Sequence, residues 1–120
     1  MVNEENPGES IDIKRSLVRG KYTIIEFTSP FCCPCQQVKP YLHKLNDSRP
    51  DVVVRAFDIN RKGIEGIDWE APLAMKYGVS SVPRYQIYNE RGAKISDGHD
   101  ASNEVTDMIN KSLNPRSAGE

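Results

Sequence analysis

The sequence has little net charge, few aromatic residues and no long apolar run. Of its 120 residues, 38% are hydrophobic and 8% aromatic, and the formal net charge is −1. No apolar segment approaches the roughly 20 residues that a membrane-spanning helix requires. A nearly neutral chain also lacks the basic surplus that favours nucleic acid or an anionic membrane. We therefore expect neither a membrane span nor a nucleic-acid partner, and the length suits one soluble domain with one core.

Cysteine occurs only as Cys32, Cys33 and Cys35. Cysteines confined to four positions cannot form a disulfide framework, which needs pairs distributed along the chain. Their clustering indicates either reactive thiols or a metal site. A zinc site would need a fourth ligand such as His43 or His99, and neither histidine has a useful spacing to the cysteines. Three inert buried cysteines are the remaining alternative.

The amino-terminal residues show no basic patch followed by an apolar stretch, because Met1–Ser10 is acidic and polar. This is not the pattern of a signal peptide, so we expect a cytoplasmic protein, or a periplasmic one if an upstream signal or anchor was removed. Residues 1–9 offer little to bury and predict a disordered tail. We expect a single domain over 10–113 and a carboxyl-terminal tail over 114–120.

Strand-like and helix-like patterns alternate along the chain. Strands are predicted at 22–27, 51–57, 84–88 and 93–96, and helices at 10–19, 33–45, 69–77 and 101–113. This order predicts an α/β domain with a mixed sheet and helices on both of its faces. Sites in such sheets form beyond the carboxyl ends of the parallel strands, and Cys32 follows the first strand at that end.

Cys32 and Cys35 have a C-x-x-C spacing at a junction between a strand and a helix. The partial positive charge at a helix amino terminus favours thiolate over thiol, so the pKa of Cys32 is expected to fall from about 8.5 to roughly 7. We expect Cys32 to be exposed. Cys35 lies about one helical turn further on, within reach of the first sulfur, and should be more buried. Two thiols so placed can alternate between a dithiol and a disulfide.

Beyond this pair, the stretch from Lys21 to Leu113 resembles the thioredoxin family. The residues that carry the resemblance are Glu26-Phe27, Phe31-Cys32-Cys33-Pro34-Cys35, Pro40, Lys76-Tyr77-Gly78-Val79, Val82-Pro83 and Gly92. The resemblance implies the thioredoxin fold, a central mixed sheet flanked by helices on both faces. It also implies that Cys32 attacks a substrate disulfide and that Cys35 resolves the mixed disulfide. No cofactor is implied besides the redox-active Cys32–Cys35 disulfide.

The resemblance implies roles for further residues near the dithiol. Glu26 occupies the place of a buried acid that helps proton transfer at the resolving cysteine, and burial should raise its pKa. Pro34 lacks an amide hydrogen, which suits the first turn of a helix. Val82-Pro83 corresponds to the family's cis-proline segment, which binds substrate as an added strand. The substrate-binding residues implied are Phe31, Val82, Pro83 and Ile59.

Several positions depart from the family pattern. Cys33 replaces the usual glycine, and we expect it to point away from Cys35 and to be partly exposed; it is either a tolerated small residue or a regulatory thiol. Ala56 stands where a lysine often pairs with the buried acid. The segment from Asn60 to Pro72 is longer than usual and should lie on the dithiol side of the sheet.

The function predicted from the sequence is protein thiol–disulfide exchange, in the direction of disulfide reduction. Proline before the second cysteine, here Pro34, is typical of family members that reduce. The expected partners are protein disulfide substrates and an upstream dithiol reductase, and a monomer is expected. The alternatives are a specialised periplasmic reductant of the cytochrome-maturation type and a redox-inactive or metal-holding binding module.

Overall fold

The structure is a computed structural model, and it describes residues 1–113. The strands are β1 (Tyr22–Thr28), β2 (Val52–Asp58), β3 (Arg84–Tyr88) and β4 (Lys94–Asp97). The helices are α1 (Cys33–Ser48), α2 (Pro72–Lys76) and α3 (Gly98–Leu113), preceded by a short 3-10 helix at Ile13–Ser16. The predicted tail at 114–120 lies outside the described residues.

The four strands form one mixed sheet in the order β2-β1-β3-β4. β1 and β2 are parallel, whereas β3 is antiparallel to both β1 and β4. Thr28 pairs with Asp58 at the carboxyl ends of β1 and β2. The residues that follow these two strands therefore emerge at the same edge of the sheet, which is where the dithiol lies.

Each face of the sheet is covered by its own hydrophobic cluster, as predicted. Ile25, Phe27 and Phe57 pack on one face with the 3-10 helix and α2. Ile24 and Ile87 pack on the other face with α1 and α3. Alternation along β1 therefore sends successive side chains into two different cores, because neighbouring residues of a strand point to opposite faces. β1 is almost wholly buried as a result.

The amino-terminal segment differs from the predicted disordered tail. The Asn3 side chain accepts the Asp58 N–H at 2.8 Å and donates to the Asp58 carbonyl at 2.7 Å, and the Val2 N–H donates to the Ala56 carbonyl at 2.8 Å. At Gly8, a Cβ atom would lie 2.8 Å from backbone atoms of Ile59 and Arg61, in the loop that follows β2. Polar groups on the edge of β2 thus hold this segment, and a prediction based on apolar burial does not detect that.

The helix boundaries also differ from the predicted ones. The helix predicted at 10–19 is one turn of 3-10 helix, capped by the Asp12 side chain. α2 begins at Pro72, where the ring suits the first turn, three residues later than predicted. α3 begins at Gly98, three residues earlier than predicted. No helix in the described part of the chain is both long and apolar enough to cross a bilayer.

Candidate active site

The two cysteines of the C-x-x-C spacing form a disulfide at the start of α1. Cys32 is the N-cap residue and Cys35 the third residue of the helix, and their Cα atoms are 5.2 Å apart. The Cys35 N–H donates to the Cys32 Sγ at 3.2 Å. Pro34 lies in the first helical turn, where no amide donor is needed. The structure is therefore that of the oxidised protein, with the pair placed as the sequence predicted.

The exposure of Cys32 differs from the exposure that the sequence predicted. The expected exposure of Cys32 is wrong for this oxidised form, because only 3% of the residue is exposed, against 1% for Cys35. Its sulfur is bonded to that of Cys35, which lies one turn inside the helix. The exposed residues on either side are Phe31 at 49% and Cys33, which carries a free thiol and is exposed, as predicted. Phe31 thus forms the apolar surface at the entrance to the dithiol.

Glu26 is buried on the same sheet face as α1. Burial away from water raises its pKa from 4.5 to about 7, against the lowering effects of a hydrogen bond from Tyr85 and of the Lys39 charge. The Tyr85 hydroxyl donates to the Glu26 Oε2 at 3.1 Å across the β1–β3 pair. A carboxyl group with this pKa can both accept and release a proton near neutrality.

A pocket of about 270 Å³ connects this carboxyl group to Cys35. Its lining includes Glu26, Cys35, Lys39, His43 and Ala56. Of the two disulfide-bonded cysteines, Cys35 lines this pocket and Cys32 does not, so the pocket approaches the disulfide from the Cys35 side. The small side chain of Ala56 leaves this space open on β2, and the cation comes instead from α1.

Lys39 and Tyr85 are the residues of this site that sequence reasoning missed. Lys39 lies one helical turn after Cys35, so its i, i+4 spacing could have been read from the sequence. Tyr85 faces Glu26 only because of the antiparallel register of β1 and β3, which the sequence does not specify.

The peptide bond between Val82 and Pro83 is cis, as the resemblance implied. Within residues 1–113, neither backbone polar group of Val82 takes part in a hydrogen bond. The predicted substrate contact by Ile59 is wrong for this structure, because Ile59 is completely buried in the cluster around Phe27. Its position just after β2 sends the side chain inward, so it supports the loop without reaching a partner.

No group of three or more His, Cys, Asp or Glu side chains in residues 1–113 is arranged to hold a metal ion. His43 lies on the rim of the pocket and is exposed, and His99 is exposed at the start of α3.

Comparisons with known proteins agree on one family. The family model described as Thioredoxin matches residues 12–111. Thioredoxin of Gallus gallus is 29% identical over 93 residues, which cover 78% of this chain and 80% of that protein. A protein disulfide-isomerase of Zea mays is 24% identical over 108 residues, covering 85% of this chain and 20% of that protein. The structure of oxidised thioredoxin O2 from Arabidopsis thaliana matches with a TM-score of 0.56 at 26% identity, covering 79% of this chain and 80% of that one.

Proposed function

Because this chain belongs to the thioredoxin family and is a thiol–disulfide oxidoreductase, we propose that it works as a reductase of protein disulfides. The observation that carries the proposal is the Cys32–Cys35 pair at the amino terminus of α1, with Pro34 between the two cysteines. The direction rests on the resemblance, in which proline at that place is typical of reductants. A redox-inactive or metal-holding module is not favoured, because the pair is joined as a disulfide.

In the first step, the Cys32 thiolate attacks one sulfur of the substrate disulfide. The new bond joins Cys32 to the substrate, and the other substrate sulfur leaves as a thiolate that takes a proton from solvent. The helix amino terminus and the Cys35 N–H, which points at the Cys32 sulfur, stabilise the attacking thiolate.

In the second step, Cys35 has to lose its proton in a buried place. Glu26 can take that proton through the shared pocket, where Lys39 favours the charged form of the carboxyl group. The Cys35 thiolate then attacks the Cys32 sulfur and releases the second substrate thiolate, which is protonated. Two electrons have passed to the substrate, and the protein ends in the Cys32–Cys35 disulfide state.

A protein substrate would bind beside the cis-proline segment. The unpaired N–H and C=O groups of Val82 can receive an extended peptide as an added strand. Phe31, which is half exposed, and Pro83, which is partly exposed, would supply apolar surface to that peptide. Main-chain pairing of this kind gives affinity with little demand on the substrate sequence, which suits a reductase with several targets.

We propose further that a separate dithiol reductase reduces the Cys32–Cys35 disulfide after each turnover, because the chain holds no other pair of thiols. We propose a cytoplasmic location, since none of the three cysteines forms a structural disulfide of the kind common in oxidising compartments. The monomeric state stays a prediction from the sequence.

Insulin reduction with dithiothreitol as the electron source tests the proposed function. The wild-type protein should accelerate precipitation of the insulin chains, and Cys32→Ser should abolish the acceleration. Cys35→Ser should retain the first step and accumulate mixed disulfides, which mass spectrometry detects. A wild-type protein that oxidises reduced substrate thiols readily but reduces insulin no faster than dithiothreitol alone would overturn the reductase assignment.

A further inference from the structure

A buried amide group connects the loop after β2 to the segment that carries the dithiol. Asn60 is 4% exposed, and both ends of its side chain are hydrogen-bonded. Its Oδ1 accepts the Ser29 hydroxyl at 2.6 Å and the Asp68 N–H at 3.1 Å. Its Nδ2 donates to the carbonyls of Gly66 at 2.7 Å and Ile64 at 3.3 Å. One side chain therefore fixes both the loop and a residue of the redox segment.

Ser29 joins Asn60 to the segment that carries the dithiol, through hydrogen bonds to the backbone of Phe31 and Cys32. It is completely buried, and its hydroxyl also accepts the Phe31 N–H at 3.2 Å. Its carbonyl accepts the Cys32 N–H at 3.1 Å and the Gln36 side-chain amide at 3.0 Å. The backbone on both sides of the entrance to α1 is thus held to one residue, whose own orientation depends on Asn60.

We propose that Asn60 is a positioning residue of the thiol–disulfide exchange, acting through Ser29 on Phe31 and Cys32. Both the oxygen and the nitrogen of its amide are engaged, so the amide cannot rotate to rescue one bond without losing another. Without it the Ser29 hydroxyl would be a buried donor with no fixed acceptor, which is costly. The inference depends on the exchange at Cys32 proposed above, but not on its direction.

The connection bears on reactivity because the Cys32 sulfur needs a fixed relation to the helix amino terminus. The Cys35 N–H stabilises the thiolate only while Cys32 holds its N-cap geometry. The same segment carries Phe31, whose ring is the exposed apolar group beside the dithiol. Loss of the Ser29–Asn60 bond should therefore lower the thiolate fraction of Cys32 and displace Phe31 from its place beside the substrate.

Alkylation of the reduced protein by iodoacetamide tests the proposal without any partner protein. The measurements are made in a Cys33→Ser background, because the exposed Cys33 thiol would also react. Ser29→Ala and Asn60→Ala should each slow alkylation of Cys32 at pH 7 by about fivefold, the effect of one net hydrogen bond. The double variant should be no slower than the slower of the two single variants, since both remove the Ser29–Asn60 hydrogen bond. Ser29→Thr, which keeps the hydroxyl, should restore the rate.

Tyr88→Phe is the matched control. It removes one buried hydrogen bond, from the Tyr88 hydroxyl to the Gln86 side chain at 2.9 Å, at the end of the sheet opposite the dithiol. It should lower stability to a similar degree. The rate of Cys32 alkylation, and the pH at which that rate is half of its maximum, should stay at their wild-type values. If Asn60→Ala does not fold, the Ser29 variants alone decide the outcome.

A Ser29→Ala protein that is less stable yet alkylates at the wild-type rate, as Tyr88→Phe does, would show a structural role only and overturn the proposal. Rates that multiply in the double variant would overturn the link through one hydrogen bond. With insulin as substrate, we expect KM to rise more than kcat falls. A wild-type protein that fails to reduce insulin would count against the reductase, but the alkylation result would still stand or fall on its own.

Discussion

The Glu26 carboxyl group should make the folded protein less stable as pH rises from about 4.5 to about 7. Burial raises the pKa of Glu26 from 4.5 to about 7, so the carboxyl group binds its proton more tightly in the folded than in the unfolded chain. Stability from this group is therefore full below about pH 4.5 and is lost progressively as pH rises through about 7. A difference of about 2.5 units at 1.36 kcal/mol each corresponds to about 3 kcal/mol.

Glu26→Gln removes the ionisation while its side-chain oxygen can still accept the Tyr85 hydroxyl. The variant should match the oxidised wild type near pH 4, exceed its free energy of unfolding by about 2 kcal/mol near pH 6, and by about 3 kcal/mol above pH 7. Urea unfolding followed by circular dichroism at these pH values measures the difference. The same variant should release substrate from the mixed disulfide more slowly, because Cys35 loses its proton acceptor.

Glu90→Gln provides the control, since Glu90 is exposed in the turn between β3 and β4. Its difference from the wild type should not change with pH in this range. A Glu26→Gln protein whose advantage stays constant from pH 4 to pH 8 would refute the reasoning, because the stabilisation would then not come from a carboxyl group that titrates with a raised pKa.

Three further predictions follow from the same site. Lys39→Met removes a positive charge that lowers the pKa of Glu26, so the midpoint of the pH-dependent loss of stability should move above its wild-type value; a midpoint that moves down would contradict the attraction. Cys33→Ser changes an exposed residue and should alter insulin reduction by about twofold or less, whereas a large loss would place Cys33 in the exchange. The potential of the Cys32–Cys35 couple, measured against glutathione, should lie nearer −270 mV than −180 mV, and a value above about −200 mV would contradict a reductase.

The sequence was sufficient to predict the sheet, the two covering layers and the placement of the dithiol. β1 is apolar on both faces, and this pattern is itself a consequence of the two cores that its alternating side chains enter. The position of Cys32 at the start of α1 follows from the change of period between strand and helix. Such features are local in the chain, so local patterns suffice to find them.

Contacts between distant segments were the part that the sequence could not supply. Asn3 binds the edge of β2 at Asp58, 55 positions further along the chain, and nothing in the sequence around Asn3 predicts that it is structured. The sequence marks Ile59 as a candidate substrate contact but does not give the direction of its side chain. A shift of one residue at the end of a strand moves a side chain from the core to the surface, and in the structure Ile59 lies in the core.

Ala56, which stands where the family often has a lysine, shows why a departure from a family pattern is difficult to interpret one position at a time. Considered alone, the missing lysine indicates that proton transfer at Cys35 is impaired. In the structure the small side chain of Ala56 lines the pocket next to Cys35. Lys39 on α1 lines the same pocket, and its positive charge acts on Glu26. Burial raises the pKa of Glu26 to about 7, and the Lys39 charge lowers it from α1 in the way that a lysine on β2 would, because the electrostatic effect depends on where the cation lies in space. A lysine at position 56 would fill the pocket and add a second cation. We therefore expect Ala56→Lys to lower the pKa of Glu26 and to slow the resolving step.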